Sequence, residues 1–260
     1  MAQEQTIGRG KVYLAEMPDV NTPGIDFRYV GNTTSFKFNS ETTKLDHFSS
    51  DSSVREKDRS VVLGVDYKTE MVTDNLDSDN VAMFFLNNKG SLVQGVVASS
   101  TEVIGPILNG RSYQLGVTIP ATPSGLMGID PSGFAVALNP ASTALVDGVD
   151  YIMDLSSGII HFLEGSIIAV DGVSIDVTYA VLGTTRDTII TGDTQINASL
   201  KFVADNPVGQ NRNWYMPKTL ISPTGDYELK TGDEWGTITF DLEALKIDGY
   251  EIAYANGVPA

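Results

Sequence analysis

The side chains best suited to chemistry in this sequence are two histidines and 33 carboxylates. His47 follows the strand-like run KLDHF and His161 lies within GIIHFLEG, and neither is accompanied by the nucleophile-elbow pattern that a serine triad needs. The acids offer many pairs for a two-carboxylate hydrolase, but separation along the chain does not fix distance in a cleft. We therefore expect both histidines to be structural and predict no catalytic residues, so the protein is predicted not to be an enzyme.

Other short motifs are explained by turns or packing. The pairs in VDGVD and VDGVS lack the spaced oxygens of a calcium loop, and Gly8-Arg9-Gly10 lacks the helix that a phosphate loop requires. The chain has no cysteine, which excludes thiolate zinc sites and disulfides. We predict no metal and no cofactor. An alternative use of NWY, with Trp214 and Tyr215 as a platform for a sugar, stays open.

The charge is strongly acidic, since 17 Lys and Arg face 33 Asp and Glu for a formal net charge of -16. Binding to a phosphate backbone needs clustered cations, so a grip on nucleic acid is disfavoured. No apolar run is long enough to span a bilayer and the first residues lack the apolar stretch of a signal peptide. The sequence therefore predicts a soluble protein made in a cytoplasm, with no membrane partner.

Period-two patterning dominates the elements that would position these side chains. In QINASLKFVAD the alternate residues from Ile196 to Ala204 are apolar, and in GTITFDLEAL the residues Ile238, Phe240 and Leu242 alternate with polar ones. Such strands are typical of antiparallel sheets that are solvated on one side.

A long strand is predicted over residues 61–73, with Asp66, Lys68 and Glu70 on its polar face. The preceding segment SFKFNSETTKLDHF changes its apolar face between Phe38 and Leu45, which predicts a bulge or bend near residues 40–44. Between these two segments, HFSSDSSVREKDRSV predicts a polar loop of about ten residues, longer than most connections between strands.

One short helix is predicted over residues 78–88, in DNLDSDNVAMFFLNNKG. Ser78 is the expected N-cap, and Lys89-Gly90 supplies the C-terminal stop. Its middle is apolar all round, so it is predicted to pack on its own sheet and on another subunit, with burial inside one domain as the alternative.

Residues 91–185 differ from their flanks. Gly and Pro are frequent up to residue 140, a hairpin is predicted about Ser156-Ser157-Gly158, and a strand follows with Ile175, Val177, Tyr179 and Val181 on one face. We predict a core made of residues 1–90 and 186–260, with residues 91–185 as a β-rich insertion or an elaboration of the same sandwich.

The order of these elements resembles a known family. The segments GKVYLAEM, KLDHFSS, RSVVLGVDYKTEMVTDN, LDSDNVAMFFLNN and TLISPTGDYELKTGDEWGTITFDLEALK resemble the major tail-tube proteins of long-tailed bacteriophages. The resemblance covers residues 8–90 and 186–250, and it covers residues 91–185 only loosely. Type VI secretion tube proteins share the architecture and rank below, because they are usually shorter.

The resemblance implies a mainly β fold, an antiparallel β-sandwich or partial barrel flanked by one short α-helix. It further implies hexameric rings that stack into a hollow tube, through which the genome passes without sticking. The location would be the phage tail, after synthesis in the bacterial host cytoplasm, and the partners would be tape-measure, tail-tip and terminator proteins. A monomeric β-sandwich that binds carbohydrate or protein is the alternative.

Three sets of residues receive roles from the resemblance. The polar loop would stack one ring on the next, the polar face of the long strand would line the lumen, and the helix would pack between subunits. The stacking loop comprises Ser49, Asp51, Arg55, Glu56, Lys57, Asp58 and Arg59; the lumen candidates are Asp66, Lys68 and Glu70; the helix residues are Val81, Phe84 and Phe85.

Overall fold

The computed structural model describes residues 5–51, 53–118, 121–165 and 172–257. Strands make up 56% of the chain and helix 3%, so the prediction of a mainly β, antiparallel fold is confirmed. In chain order the first elements are β1 Gly10–Glu16, β2 Arg28–Tyr29, β3 Thr33–Ser49, β4 Glu56–Thr73, α1 Ser78–Phe84, β5 Gly90–Gln94, β6 Val97–Ile107, β7 Ser112–Gln114 and β8 Ile129–Asn139. They are followed by β9 Tyr151–Asp154, β10 Ile159–Phe162, β11 Val173–Val181, β12 Thr184–Thr188, β13 Ile196–Ala204, β14 Arg212–Thr224, β15 Ile238–Ala244 and β16 Tyr254–Gly257.

The chain divides into two compact units, each with its own apolar core. Unit 1 combines Met1–Gly90 with Ile189–Ala260, and unit 2 is Ser91–Thr188. Whether residues 91–185 fold as an independent insertion stays a prediction.

Unit 1 is built on one eight-stranded sheet in the order β2-β1-β13-β14-β15-β4-β3, with β16 pairing with the first part of β14. The sheet curls over itself, because the Phe36 ring of edge strand β3 stacks on Phe202 of β13 with 5.4 Å between ring centroids. The packing expected between the two sheets of a sandwich is therefore made within one curled sheet. In the described residues this sheet is open, with β2 and β3 as its two edge strands.

The core of unit 1 follows the predicted alternation. Ile238, Phe240 and Leu242 of β15 are completely buried, and on β13 Ala198 and Leu200 lie in the same cluster. Phe202 and Ile196 are half-buried against it. Period-two burial of this kind is what holds each strand in its register, since a slip of one residue would expose the whole apolar set.

The helix is shorter than predicted, and both of its ends differ from the prediction of residues 78–88. Its N-cap is Asp77, whose side chain accepts from the Asn80 amide, and Ser78 is the first helical residue. Leu86 adopts a positive φ of 54°, and the Asn87 amide donates to Ala82 O while the Leu86 amide donates to Met83 O. These bonds form a Schellman motif that ends the helix before the Lys89-Gly90 stop is reached.

Unit 2 contains two three-stranded sheets, β7-β10-β9 and β6-β11-β8, and the two-stranded sheet β12-β5. The predicted hairpin about residues 156–158 is confirmed by the antiparallel pairing of β9 with β10. The predicted inward face of β11 is also confirmed, because Ile175, Val177, Tyr179 and Val181 are all buried in the second core.

Asp154 organises the turn of the β9–β10 hairpin. The hydroxyls of Ser156 and Ser157 each donate to its carboxylate at 2.6 Å. These hydrogen bonds, with the Ser157 amide, lower the pKa of Asp154 from 3.8 to about 2. A lowered folded pKa means that the stabilisation is present above the unfolded pKa and is lost as the pH falls through the folded pKa.

We expect Asp154→Asn to remove this acid-dependent part of the stability. The thermal unfolding temperature of the wild type is expected to fall more steeply than that of the variant as the pH is lowered from about pH 4 to about pH 2. Glu164→Gln is the matched control, because Glu164 is exposed in the same unit and forms no hydrogen bond among the described residues. Parallel pH profiles for wild type and Asp154→Asn would contradict the assignment.

Candidate interaction surface

The most unusual feature of unit 1 is a hairpin that extends beyond the sheet. β15 pairs with β4 only from Tyr67 to Thr73, whereas β3 and β4 pair with each other as far as Ser49 and Glu56. The described residues between 40 and 66, called the arm here, therefore form a two-stranded ribbon with a short connection at its end. From residue 67 to residue 56 the ribbon is roughly 35 Å long at about 3.3 Å per residue.

The arm carries several large apolar side chains that are exposed. Leu45 is 62% exposed and Leu63 is 63% exposed. The exposed apolar residues of the arm and its tip are Leu45, Phe48, Val54, Val61, Val62, Leu63 and Val65. Leu45 and Val61 lie opposite each other on one face of the ribbon, and Val62 and Val65 lie on the other face. Soluble monomers rarely keep so many apolar side chains of one short ribbon in water, so the arm is a candidate interaction surface.

Two irregularities shape the arm. Thr43 pairs with Gly64 and Lys44 with Val62, so Leu63 is an extra residue on β4. The bulge lies where the change of apolar face predicted one, but on the partner strand. β3 therefore keeps its own alternation, and Leu45 is not returned to the face of Phe38. A second extra residue, Asp58, lies further towards the tip.

The predicted ten-residue loop is largely strand. Ser49 ends β3, Glu56 begins β4, and only residues 50–55 connect them, of which residue 52 lies outside the described part. Of the predicted stacking residues, only Asp51 and Arg55 lie in the turn, while Glu56, Lys57, Asp58 and Arg59 lie in β4. Polar patterning hid this strand because both faces of a ribbon are solvated, so no period-two apolar signal exists.

The charges of the arm do not pair with their neighbours in sequence, because adjacent strand residues point to opposite faces. The Lys57 Nζ lies 2.7 Å from Asp46 Oδ2, and His47 Nδ1 lies 2.6 Å from Asp58 Oδ1. The hydrogen bonds from Lys57 and from the Ser60 hydroxyl lower the pKa of Asp46. The Arg55 guanidinium lies over the Phe48 ring at 5.5 Å.

The three predicted lumen candidates lie on one solvated face of the sheet, opposite the core. Asp66 pairs with Glu41, Lys68 with Asn39 and Glu243, and Glu70 with Lys37 and Asp241. Residues directly opposite each other share a face. On the part of this face formed by β3, β4 and β15, carboxylates outnumber the lysines: the acids are Glu41, Asp66, Glu70, Asp241 and Glu243, and the lysines are Lys37 and Lys68.

The three helix residues are covered to different degrees by unit 1 itself. Val81 is buried in the core, whereas Phe84 and Phe85 are half-buried and meet edge to face. Tyr227 contacts both rings, with centroid distances of 5.8 Å and 5.6 Å. Because Val81 packs inside unit 1, the alternative prediction, burial of the helix within one domain, is favoured for this residue.

A cleft of about 470 Å³ opens between α1 and the β1–β13 part of the sheet. Its lining is mixed, with apolar side chains below and the carboxylates of Glu16 and Asp26 at the exposed rim. The apolar residues are Leu14, Ala82, Met83, Ile196, Ala198 and Ile221. Sequence patterns could not reveal this cleft, because its residues come from five separate segments.

The residues considered for chemistry do not come together. No group of three or more His, Asp or Glu side chains is placed to hold a metal within the described ranges. The His161 Nδ1 lies 3.0 Å from the Ser112 hydroxyl on an exposed strand face. No helix among the described residues has the length and apolarity needed to cross a bilayer.

The proposed sugar platform is occupied by the protein's own side chains. The Trp214 ring lies 5.2 Å from Phe38, and Tyr215 stacks on Tyr254 at 6.1 Å. The other tryptophan, Trp235, is 92% exposed in the loop between β14 and β15, a position that sequence reasoning did not single out.

The fold and its surface define a class: a mainly antiparallel β protein with a curled sheet and a projecting apolar arm. The family profile described as "Protein of unknown function UCP028589" matches residues 5–249, so the chain belongs to that family. No curated protein matches the sequence.

Proposed function

We propose that this protein is a structural virion protein, the tail-tube subunit of a long-tailed phage or prophage. The observation that carries the proposal is the arm, a two-stranded ribbon with exposed apolar residues. The resemblance of residues 8–90 and 186–250 to tail-tube proteins supplies the assignment. The subunits assemble into stacked hexameric rings that form a hollow conduit for genome delivery.

Unpaired strand edges support self-assembly. Among the described strands β3 pairs only with β4, so one edge of this 17-residue strand has no partner, and β4 lacks a second partner from Glu56 to Asp66. Long free edges recruit other strands and are costly in a stable monomer. In the ring, the arms of neighbouring subunits cover these edges and join into an inner barrel, while the tips reach the adjacent ring.

The acidic sheet face suits a conduit for DNA. On this face Lys37 forms an ion pair with Glu70 at 2.6 Å, and Lys68 lies 3.5 Å from Glu41. Both lysines are thus offset, and the remaining carboxylates repel phosphates rather than bind them. We infer that this face lines the lumen, so that the genome passes without sticking. Tape-measure, tail-tip and terminator proteins are the other partners in the virion, and no cofactor takes part.

Electron microscopy of the negatively stained protein at high concentration tests the proposal. The wild type is expected to form rings or hollow tubes, and Arg55→Glu, Arg59→Glu is expected to lose or shorten them. Reversing these two charges is expected to have this effect because charged groups at the edge of an interface set its register and exclude wrong arrangements. Like charges at such an edge oppose contact.

The control for charge is Lys230→Glu, Lys246→Glu, which makes the same change outside the arm and is expected to assemble normally. Monodisperse wild-type monomers that stay single when tail-tip components are added would count against a tube subunit.

A further inference from the structure

The arm tip and the cleft lie at opposite ends of unit 1. β4 runs from the tip at Glu56 to Thr73, and the helix that walls the cleft begins at Ser78, just beyond that second end. β4, β15, β14, β13 and β1 alternate in direction, so Ile196 at the start of β13 and Glu16 at the end of β1 lie at the ends of their strands that face away from the arm. A projection at one end and a hollow at the other are suited to contact between successive copies.

The tip has the composition of an interface anchor. Phe48 and Val54 are both exposed, Val54 by 67%, and Arg55 lies over the Phe48 ring. Aromatic residues and arginine are the residue types that most often dominate binding energy at interfaces. Arg55 forms no ion pair with the described acids, so its charge is available to a partner.

The cleft offers the complementary chemistry. Its apolar base suits Val54, and its volume of about 470 Å³ is large enough for the ends of two side chains. Glu16 and Asp26 at the rim are exposed and form no ion pair within the described chain, whereas Asp79 nearby is engaged by Lys89 at 3.4 Å. Arg28 also lines the cleft, but its guanidinium donates to the Asn80 side chain at 2.8 Å. The two carboxylates without an ion pair therefore match the guanidinium of Arg55.

We propose that the arm tip of one copy docks in this cleft of a second copy, with Val54 over the apolar base and Arg55 between Glu16 and Asp26. The inference rests on the proposed self-assembly and names the receptor for the tip. Tip and cleft are different surfaces, so the contact is heterologous and repeats from copy to copy without using up either surface. Rings that stack head to tail in one direction need a contact of this kind.

Disulfide cross-linking tests the docking, because the chain has no cysteine of its own. Val54→Cys and Asn88→Cys are made as separate proteins, mixed at high concentration and oxidised. Asn88 lines the cleft and its side chain is exposed. A heterodimer on non-reducing electrophoresis is the expected product. The control partner is Val208→Cys, exposed at the end of the sheet from which the arm projects, and it is expected to give little cross-link.

Charge reversal adds a second readout in the same mixture. Arg55→Glu in the Val54→Cys chain is expected to lower the cross-linked yield about tenfold or more, because two rim acids then face an acid. Glu16→Lys with Asp26→Lys in the Asn88→Cys chain is expected to restore it. Rescue separates docking from misfolding, since a misfolded arm cannot be recovered by a change on the partner.

The outcomes separate this inference from the proposed function. Rings or tubes in the microscope without a specific cross-link, or with equal cross-linking to Val208→Cys, overturn the cleft as receptor and leave the tube assignment standing. Absence of both assemblies and cross-link overturns both.

Discussion

A chain in which Asn-Gly replaces residues 43–64 is expected to fold normally and to remain monomeric at every concentration tested. Thr42 and Val65 are directly opposite each other in β3 and β4, so a two-residue turn can join them. The replacement removes most of the arm, including Leu45, Val61 and Leu63, but leaves the strand pairing that supports the core. Sedimentation velocity and electron microscopy beside the wild type would measure the loss of assembly.

The folded state of this shortened chain is checked by its unfolding transition. Apart from Tyr67, which is partly buried against the core, the buried residues of β4 begin at Thr69, and Met71 lies in the core, so denaturant unfolding is expected to stay cooperative with a midpoint close to that of the wild type. Rings formed by a chain without its arm would refute the central role of the arm in assembly. A chain that does not fold would instead show that the arm stabilises the subunit itself.

Phe240→Ala is expected to be the most destabilising single substitution in unit 1. Phe240 is completely buried in the centre of β15, and the Phe84 ring of the helix meets it edge to face at 6.3 Å. Truncation of a buried phenylalanine costs about 3–5 kcal/mol, because apolar contact is lost and the surrounding structure fills the cavity only in part. Loss of this size is comparable to the whole free energy of unfolding of many domains.

Chemical denaturation followed by tryptophan fluorescence would measure this effect, since Trp214 lies in the same sheet. Leu229→Ala is the control, because Leu229 is 88% exposed and its truncation is expected to change the free energy of unfolding by less than about 0.5 kcal/mol. Equal stability of Phe240→Ala and wild type would contradict the placement of β15 at the centre of the core.

The shape of the arm makes it only marginally stable in a single subunit. A ribbon solvated on both faces buries little apolar surface of its own, and hairpins that stand alone are marginally stable. In the single chain its side-chain contacts across the strands include the ion pair of Asp46 with Lys57 and the hydrogen bond between His47 and Asp58. Exposed pairs of this kind each contribute little. Contact with neighbouring copies is therefore expected to supply most of the order of the arm.

Much of the fold followed from local patterns. Alternation in β11, β13 and β15 predicted both the strands and their buried faces, because a half-solvated strand must separate apolar from polar side chains at every second residue. The β9–β10 hairpin followed from its turn residues. The acidic charge, the absence of cysteine and the lack of a catalytic motif were also properties of the sequence alone.

Other features were decided only by tertiary contacts. Periodicity did not detect the outer half of the arm, because a ribbon without a buried face has no apolar alternation to read. The helix ended early at Leu86, since the turn is fixed by two backbone hydrogen bonds rather than by the residue types at Lys89 and Gly90. The charge partners in the arm were set by register across the strands.

By itself, the sequence determined the class of fold and the core faces of the strands. The tertiary structure decided the length of the arm, the curl that brings Phe36 onto Phe202, and the cleft between α1 and the sheet. The physical reason is range: alternation and turn chemistry act over a few residues, whereas curl, cleft and free edges depend on contacts between segments more than a hundred residues apart, such as Phe36 with Phe202.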